Sequence, residues 1–177
     1  MGFNPEWTVA AAQKLVRVPS RGGVDDAWPI CETAQKMAEE LGLDAQIVRE
    51  DDISVGVWIK TARPKNTRRL FLVACIDTSG YDAPAWKIAP TDPVIENGWM
   101  NGRGSADSKT MAALFMQVAK TVAEEGKGID VFLDANEHTG EFLGVRALKR
   151  MCPDIAGGYI GYPGIDYINR GPEAFGA

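Results

Sequence analysis

The sequence predicts an α/β protein on three grounds. Two short apolar runs, Leu70–Cys75 and Ile129–Ala135, are bounded by turn-forming residues, as buried strands are. Stretches with apolar residues at helical spacing lie before and between them. Both runs end in residues able to do chemistry: Cys75 and Asp77 after the first, Glu137 and His138 after the second. Open α/β sheets bind their ligands at the carboxyl ends of their strands, so one crevice is expected to receive both sets.

In chain order, Asn4-Pro5-Glu6 combines a capping side chain, a proline at the first helical position and an acid in the first turn. Trp7, Ala11 and Leu15 then make one apolar stripe, and Pro19–Gly23 ends the helix. A second helix is expected over Asp25–Leu41, burying Ile30, Ala34, Met37 and Leu41 and stopping at Gly42; Cys31 on that face reads as a small core residue. Ala45–Arg49 and Ile53–Lys60 are strands, with Val55, Val57 and Ile59 on one face and Trp58 on the other. Arg63–Arg69 is basic and reads as a solvated loop rather than a polyanion site. A loop over 79–93 precedes a hairpin of Val94–Asn97 with Trp99–Met100, turning at Asn97-Gly98. Gly102-Arg103-Gly104 then breaks the backbone before Ser105, a candidate cap for a helix holding Asp107 in its first turn and burying Met111, Leu114, Phe115, Val118 and Val122. A helix from about Glu141 to Met151 and a short strand over Ala156–Tyr162 complete the described pattern.

Composition narrows the function. The 177 residues suit one well-buried core, with 45% hydrophobic and 24% charged residues. The net charge of −5 provides no basic footprint for nucleic acid. No apolar run approaches the roughly 20 residues that span a bilayer, and the N-terminus lacks the basic-then-apolar order of a secretory signal. Met1-Gly2 opens like a myristoylation site, but Glu6 stands where Ser or Thr is required. Three widely spaced cysteines do not form a disulfide framework, so a reducing cytoplasm is the expected setting.

Several motifs follow in a set order: a strand, then x-Asp77-Thr78, then Trp86, Pro90, Pro93-Val94-Ile95-Glu96-Asn97-Gly98, then Gly102-Arg103-Gly104-x-x-Asp107-x-Lys109. This order resembles the acetylornithine deacetylase and succinyl-diaminopimelate desuccinylase family of zinc metallopeptidases and aminoacylases, from the first helix to about Pro163. The resemblance implies three layers, helices on both faces of a central mixed sheet, like the first half of a zinc exopeptidase catalytic domain. Its lid domain and the second half of its catalytic domain have no counterpart, so residues 1–177 are expected to form a single shortened catalytic domain.

In that family two zinc ions sit in the crevice and a glutamate acts as base. Carried over by position, Asp107 matches the bridging aspartate, Glu137 the base, and Asp77 the aspartate that orients a histidine ligand. Cys75 stands where the first histidine ligand is expected, His138 where an acidic ligand is expected, and Tyr162 where a glutamate precedes proline. His138 is the sole histidine. The resemblance therefore implies that the two-zinc site is lost and leaves three outcomes open. One zinc ion at most is held by Cys75, Asp107 and His138, whose thiolate, carboxylate and imidazole are all zinc ligands. Or Cys75 and His138 act without metal as nucleophile and base, oriented by Glu137 or Asp77; alternatively Glu137 and Asp107 act as acid and base. Or the chain is a retired enzyme that binds a ligand or partner. The function expected first is hydrolysis at an amide or related carbonyl of a small amino-acid-like substrate, with Glu137 as base. Uncovered sheet and helix surface makes a homo-oligomer or a heteromeric complex the expected assembly. Arg103 and Lys109 read as a salt-bridged helix start, and the Asp82–Asp92 loop with Trp86 either lines the crevice or packs.

Overall fold

A computed structural model describes residues 2–63 and 67–162. Helices α1 (Pro5–Arg17) and α2 (Trp28–Glu40) lead into strands β1 (Asp44–Glu50), β2 (Ile53–Lys60) and β3 (Arg69–Cys75). A two-stranded hairpin, β4 (Ile95–Glu96) with β5 (Trp99–Met100), precedes α3 (Thr110–Glu124), β6 (Asp130–Asp134), α4 (Leu143–Met151) and β7 (Ile155–Ile160). The main sheet has the order β1-β2-β6-β3-β7 and is mixed: β1/β2 and β2/β6 are antiparallel, β6/β3 and β3/β7 parallel.

Period-two alternation sorts side chains between the layers. Val57, Ile59, Leu72, Ala74, Val131 and Leu133 face α1, α2 and α3 in one core. Trp58, Phe71 and Phe132 face α4, meeting Ala147 and Leu148 in a second. The fold is thus the expected α/β arrangement of a central mixed sheet between helices, with no lid domain among the described residues. Val55 departs from the expected face. The register of β1 against β2 slips at Val48/Arg49, so that Ser54 and Gly56 are paired and Val55 is the extra residue of a bulge. It therefore packs in the α4 core with Trp58. Leu70, expected inside, is half exposed on the sheet's outer part.

The helix starts show where side chains overrule periodicity. Asn4 caps α1 as expected, its Oδ1 accepting from Trp7 N at 3.0 Å with Pro5 in the first turn. Helix α2 starts at Trp28 rather than Asp25, because Asp25 is clamped by the Arg21 N–H and guanidinium and Pro29 favours the first turn. The hairpin turns at Asn97-Gly98, both with positive φ (52° and 81°), the type I′ geometry of that dipeptide. Arg63, Arg68 and Arg69 are tied down: Arg63 pairs with Asp154 at 3.0 Å, Arg68 bonds the Ile155 carbonyl and Arg69 bonds Asp130. Residues 64–66 of that connection, and Pro163 at the end of the motif series, lie outside the described residues.

Candidate active site

The parallel pairing of β3 with β6 sets Cys75 opposite Asp134, so both chain segments leave the sheet at the same level. From β3 the chain carries Asp77 inward, almost fully buried; from β6 it passes through Asn136 into a short 3₁₀ turn, Glu137–Thr139. Asn136 organises that turn. Its carbonyl accepts from Thr139 Oγ1 at 2.9 Å and its Oδ1 from Leu143 N at 2.9 Å, which delays α4 to Leu143 instead of the expected Glu141.

A third segment brings Asp107. The expectation that Asp107 lies in a helical turn capped by Ser105 is overturned: Asp107 (φ −119°, ψ 95°) and Ser108 have non-helical backbone, and α3 begins only at Thr110. The cause is Ser108. Its Oγ accepts from Cys75 N at 3.0 Å and donates to Cys75 O at 3.1 Å, pinning the segment to the end of β3. Gly104, at φ 81°, makes the approach possible, since a Cβ there would meet Thr78 Cγ2 at 2.7 Å.

Cys75, Asp107 and His138 come together. Cys75 Sγ lies 3.6 Å from Asp107 Oδ1, and His138 Nε2 lies 3.7 Å from Asp107 Oδ2. The other ring nitrogen, Nδ1, faces Asp77 Oδ1 at 3.2 Å and Glu137 Oε2 at 3.1 Å, while Asp77 Oδ2 accepts the His138 backbone N–H at 2.8 Å. Glu137 Oε1 accepts from Tyr162 Oη at 2.7 Å. Two of these participants carry no role in the sequence reading. Ser108 occupies a variable-looking place beside Asp107, and Tyr162 was legible only as a departure from the acidic position before proline.

The electrostatics follow from this crowding. Hydrogen bonds to Asp107, Asp77 and Cys75 hold the His138 imidazolium up to about 12. The bond to His138 keeps the Asp107 carboxyl below its ordinary range, whereas burial pushes the Cys75 thiol up. Burial and the bond to Glu137 raise the Tyr162 phenol. Asp134, buried at the end of β6, is pushed up to about 7 by desolvation.

Arg103 and Lys109 are not salt-bridged as expected. Arg103 donates from Nε to Ser79 O at 3.1 Å and from Nη2 to Gly80 O at 3.0 Å. Lys109 is buried, its Nζ donating to the carbonyls of Leu15 and Val18 at the end of α1, both at 3.0 Å, and burial lowers it to about 8. Trp86 both packs edge-on against Tyr81 and lines, with Arg103, Asp107 and His138, a cleft of about 170 Å³.

One donor atom from each of Cys75, Asp77, Glu137 and His138 lies within 4.8 Å of the others, a grouping able to hold a metal ion. The ring of His138 favours a different set. Asp77 is buried and already accepts the His138 N–H, so it suits the orienting carboxylate on Nδ1, and Nε2 is left toward Asp107 and Cys75. Bonds of about 2.0–2.3 Å at a tetrahedral zinc ion place neighbouring donors roughly 3.3–3.6 Å apart. The 3.6 and 3.7 Å separations to Asp107, one to each of its carboxylate oxygens, are close to that spacing.

A mixed sheet that gathers carboxylates, an imidazole and a thiol at its strand ends defines the class: an α/β fold of metallopeptidase type. The signature of Peptidase family M20/M25/M40 matches residues 75–171, more than half of the chain, and the chain belongs to that family. Its fold is similar to an M20 family metallo-carboxypeptidase from Sulfolobus solfataricus (TM-score 0.74, 15% identity, covering 86% of this chain and 36% of that one). It is also similar to aminopeptidase PepT from Bacillus cereus (TM-score 0.67, 20% identity, 89% and 43%) and human carnosine dipeptidase 1 (TM-score 0.66, 13% identity, 89% and 38%). The chain thus spans less than half the length of these structures. Among the described residues no helix is long and apolar enough to cross a membrane.

Proposed function

We propose that this chain is a single-metal variant of its family, hydrolysing an amide or related carbonyl of a small amino-acid-like molecule in the cytoplasm. Within the family we place it with the acetylornithine deacetylase and succinyl-diaminopimelate desuccinylase branch, on the motif order around Gly102-Arg103-Gly104. The observation that carries the reading is the convergence of Cys75, Asp107 and His138 Nε2 with the Glu137 carboxylate alongside. Cys75, Asp107 and His138 would hold the ion, zinc by donor chemistry. When bound, it supplies Lewis acidity toward the carbonyl and acidifies water. Glu137 takes the proton from the attacking water and returns it to the leaving nitrogen. Tyr162 holds one Glu137 oxygen by its hydroxyl, leaving the other toward His138. Asp77 fixes the imidazole from behind through Nδ1 and the backbone N–H.

The geometry weighs against a metal-free cysteine hydrolase: Cys75 is buried with its Sγ against Ser108 Oγ, and the imidazole that would serve as its base is ringed by Asp77, Glu137 and Asp107. A surplus of anionic groups around one imidazole instead suits a cation. Metal analysis of the purified protein tests the proposal together with hydrolysis of N-acyl amino acids and dipeptides. About one zinc per chain, lost with Cys75→Ser, and activity lost with Glu137→Gln are expected. No metal in the wild-type protein, with no activity that either substitution alters, would favour the retired-enzyme reading.

We also propose self-association or a heteromeric complex, supported by Tyr159 and Ile160, which stand exposed on the edge strand β7. Light scattering on the eluting peak tests it, and a monomer with no co-purifying partner overturns it.

A further inference from the structure

The cleft over Asp107 and His138 has a wall that the hydrolytic reading does not use. Arg103 stands in it, held by two carbonyls, which orient a guanidinium without neutralising it. A guanidinium has five N–H donors, and only Nε and one Nη2 hydrogen are engaged. No carboxylate among the described residues pairs with it, whereas Arg21, Arg63, Arg69 and Arg150 each pair with an acid. Trp86, half-buried and edge-on to Tyr81, lines the same cleft and offers an apolar ring. An uncompensated planar fork beside an aromatic surface matches a carboxylate attached to an apolar group.

We propose that Arg103 and Trp86 form the recognition wall of this cleft, and that its ligand is a small molecule with a free carboxylate bound by the open edge of the Arg103 guanidinium. The apolar part of the ligand lies against the Trp86 indole. This deepens the hydrolase reading by naming the end of the substrate that does not react, and it rests on that reading only for which molecule is cleaved. The same carboxylate could belong to an N-acyl amino acid or to a peptide's C-terminus.

The test is calorimetric binding to the 177-residue chain carrying Glu137→Gln, which on the hydrolase reading cannot turn the ligand over. N-acetyl-leucine is compared with N-acetyl-leucinamide, and glycyl-leucine with glycyl-leucinamide. Loss of a charged hydrogen bond predicts that an acid binds at least about tenfold tighter than its amide. The pair with the larger ratio identifies the source of the carboxylate. Arg103→Gln should abolish the ratio, Arg103→Lys should restore part of it, and Trp86→Ala should weaken acid and amide alike. In folded Glu137→Gln protein, equal binding of acid and amide, or binding of neither at millimolar concentration, overturns the proposal without any Arg103 or Trp86 variant being needed. A preference for the acid that survives in folded Arg103→Gln also overturns it. Acid preference in a protein that hydrolyses nothing upholds this inference while sinking the hydrolase reading; hydrolysis without acid preference does the reverse.

Discussion

The two ends of β6 carry the same residue in opposite circumstances. At its start, buried Asp130 is saturated: it accepts from Trp58 Nε1 at 2.9 Å, from Thr61 N at 3.0 Å, from Thr61 Oγ1 at 3.3 Å and from the Arg69 guanidinium. At its end, Asp134 is equally buried but accepts one backbone N–H, from Asn136 at 2.9 Å, and faces Asp77 and Glu137. One strand of five residues thus carries at its start a carboxylate that fastens the sheet and at its end one that burial and the neighbouring negative charge disfavour. The first end is finished as structure; the second holds unspent polarity, as a catalytic crevice does.

The largest effect expected from exploiting this contrast is at the crevice end. Glu137→Gln should lower kcat by roughly 10²–10⁴-fold while leaving the thermal midpoint almost unchanged; an equal loss of stability would make Glu137 structural and erase the distinction. At the other end, Asp130→Ala strands Arg69 and the Trp58 N–H, and should cost about 3–5 kcal/mol in urea unfolding with metal content per folded chain unaltered. A small cost there would mean that Asp130 is no fastening. Asp134 sharpens the comparison through pH. Its folded-state value of about 7 lies above its ordinary 3.8, so between those values the unfolded chain releases a proton that the folded chain keeps. Its contribution to stability therefore falls as pH rises from about 4 to about 7 and is flat above. Asp134→Asn should consequently stabilise metal-free protein by about 1–2 kcal/mol at pH 8 and by nothing at pH 4; a pH-independent difference refutes this. The smallest effect belongs to Trp58→Phe, which removes one of several donors to Asp130 and should cost about 1 kcal/mol.

Much of this was legible in sequence where one local rule decides the outcome. Ile53–Lys60 is the strand its β-branched residues announce, and Asn97-Gly98 is the turn whose positive φ values those residues tolerate. The meeting of Cys75, Asp107 and His138 was anticipated because two strand ends and a glycine break point to one crevice. Features depending on a single long-range contact stayed hidden. Nothing local says that Ser108 will bond the main chain of Cys75 and so push Asp107 out of the helix, or that a bulge will turn Val55 to the other face. Arg103 and Lys109 were misassigned for the same reason, since charge patterning suggests acids as partners and here the partners are carbonyls.

Lys109 has a reach beyond its own neighbourhood. Its ammonium ties the last carbonyls of α1 to the residue that follows Ser108, the anchor of the Asp107 segment. Loosening the first helix at Leu15 or Val18 would therefore be felt as a shift of the Asp107 carboxylate, and the amino-terminal helix is joined to the candidate site by attachment though it lends it no reactive group.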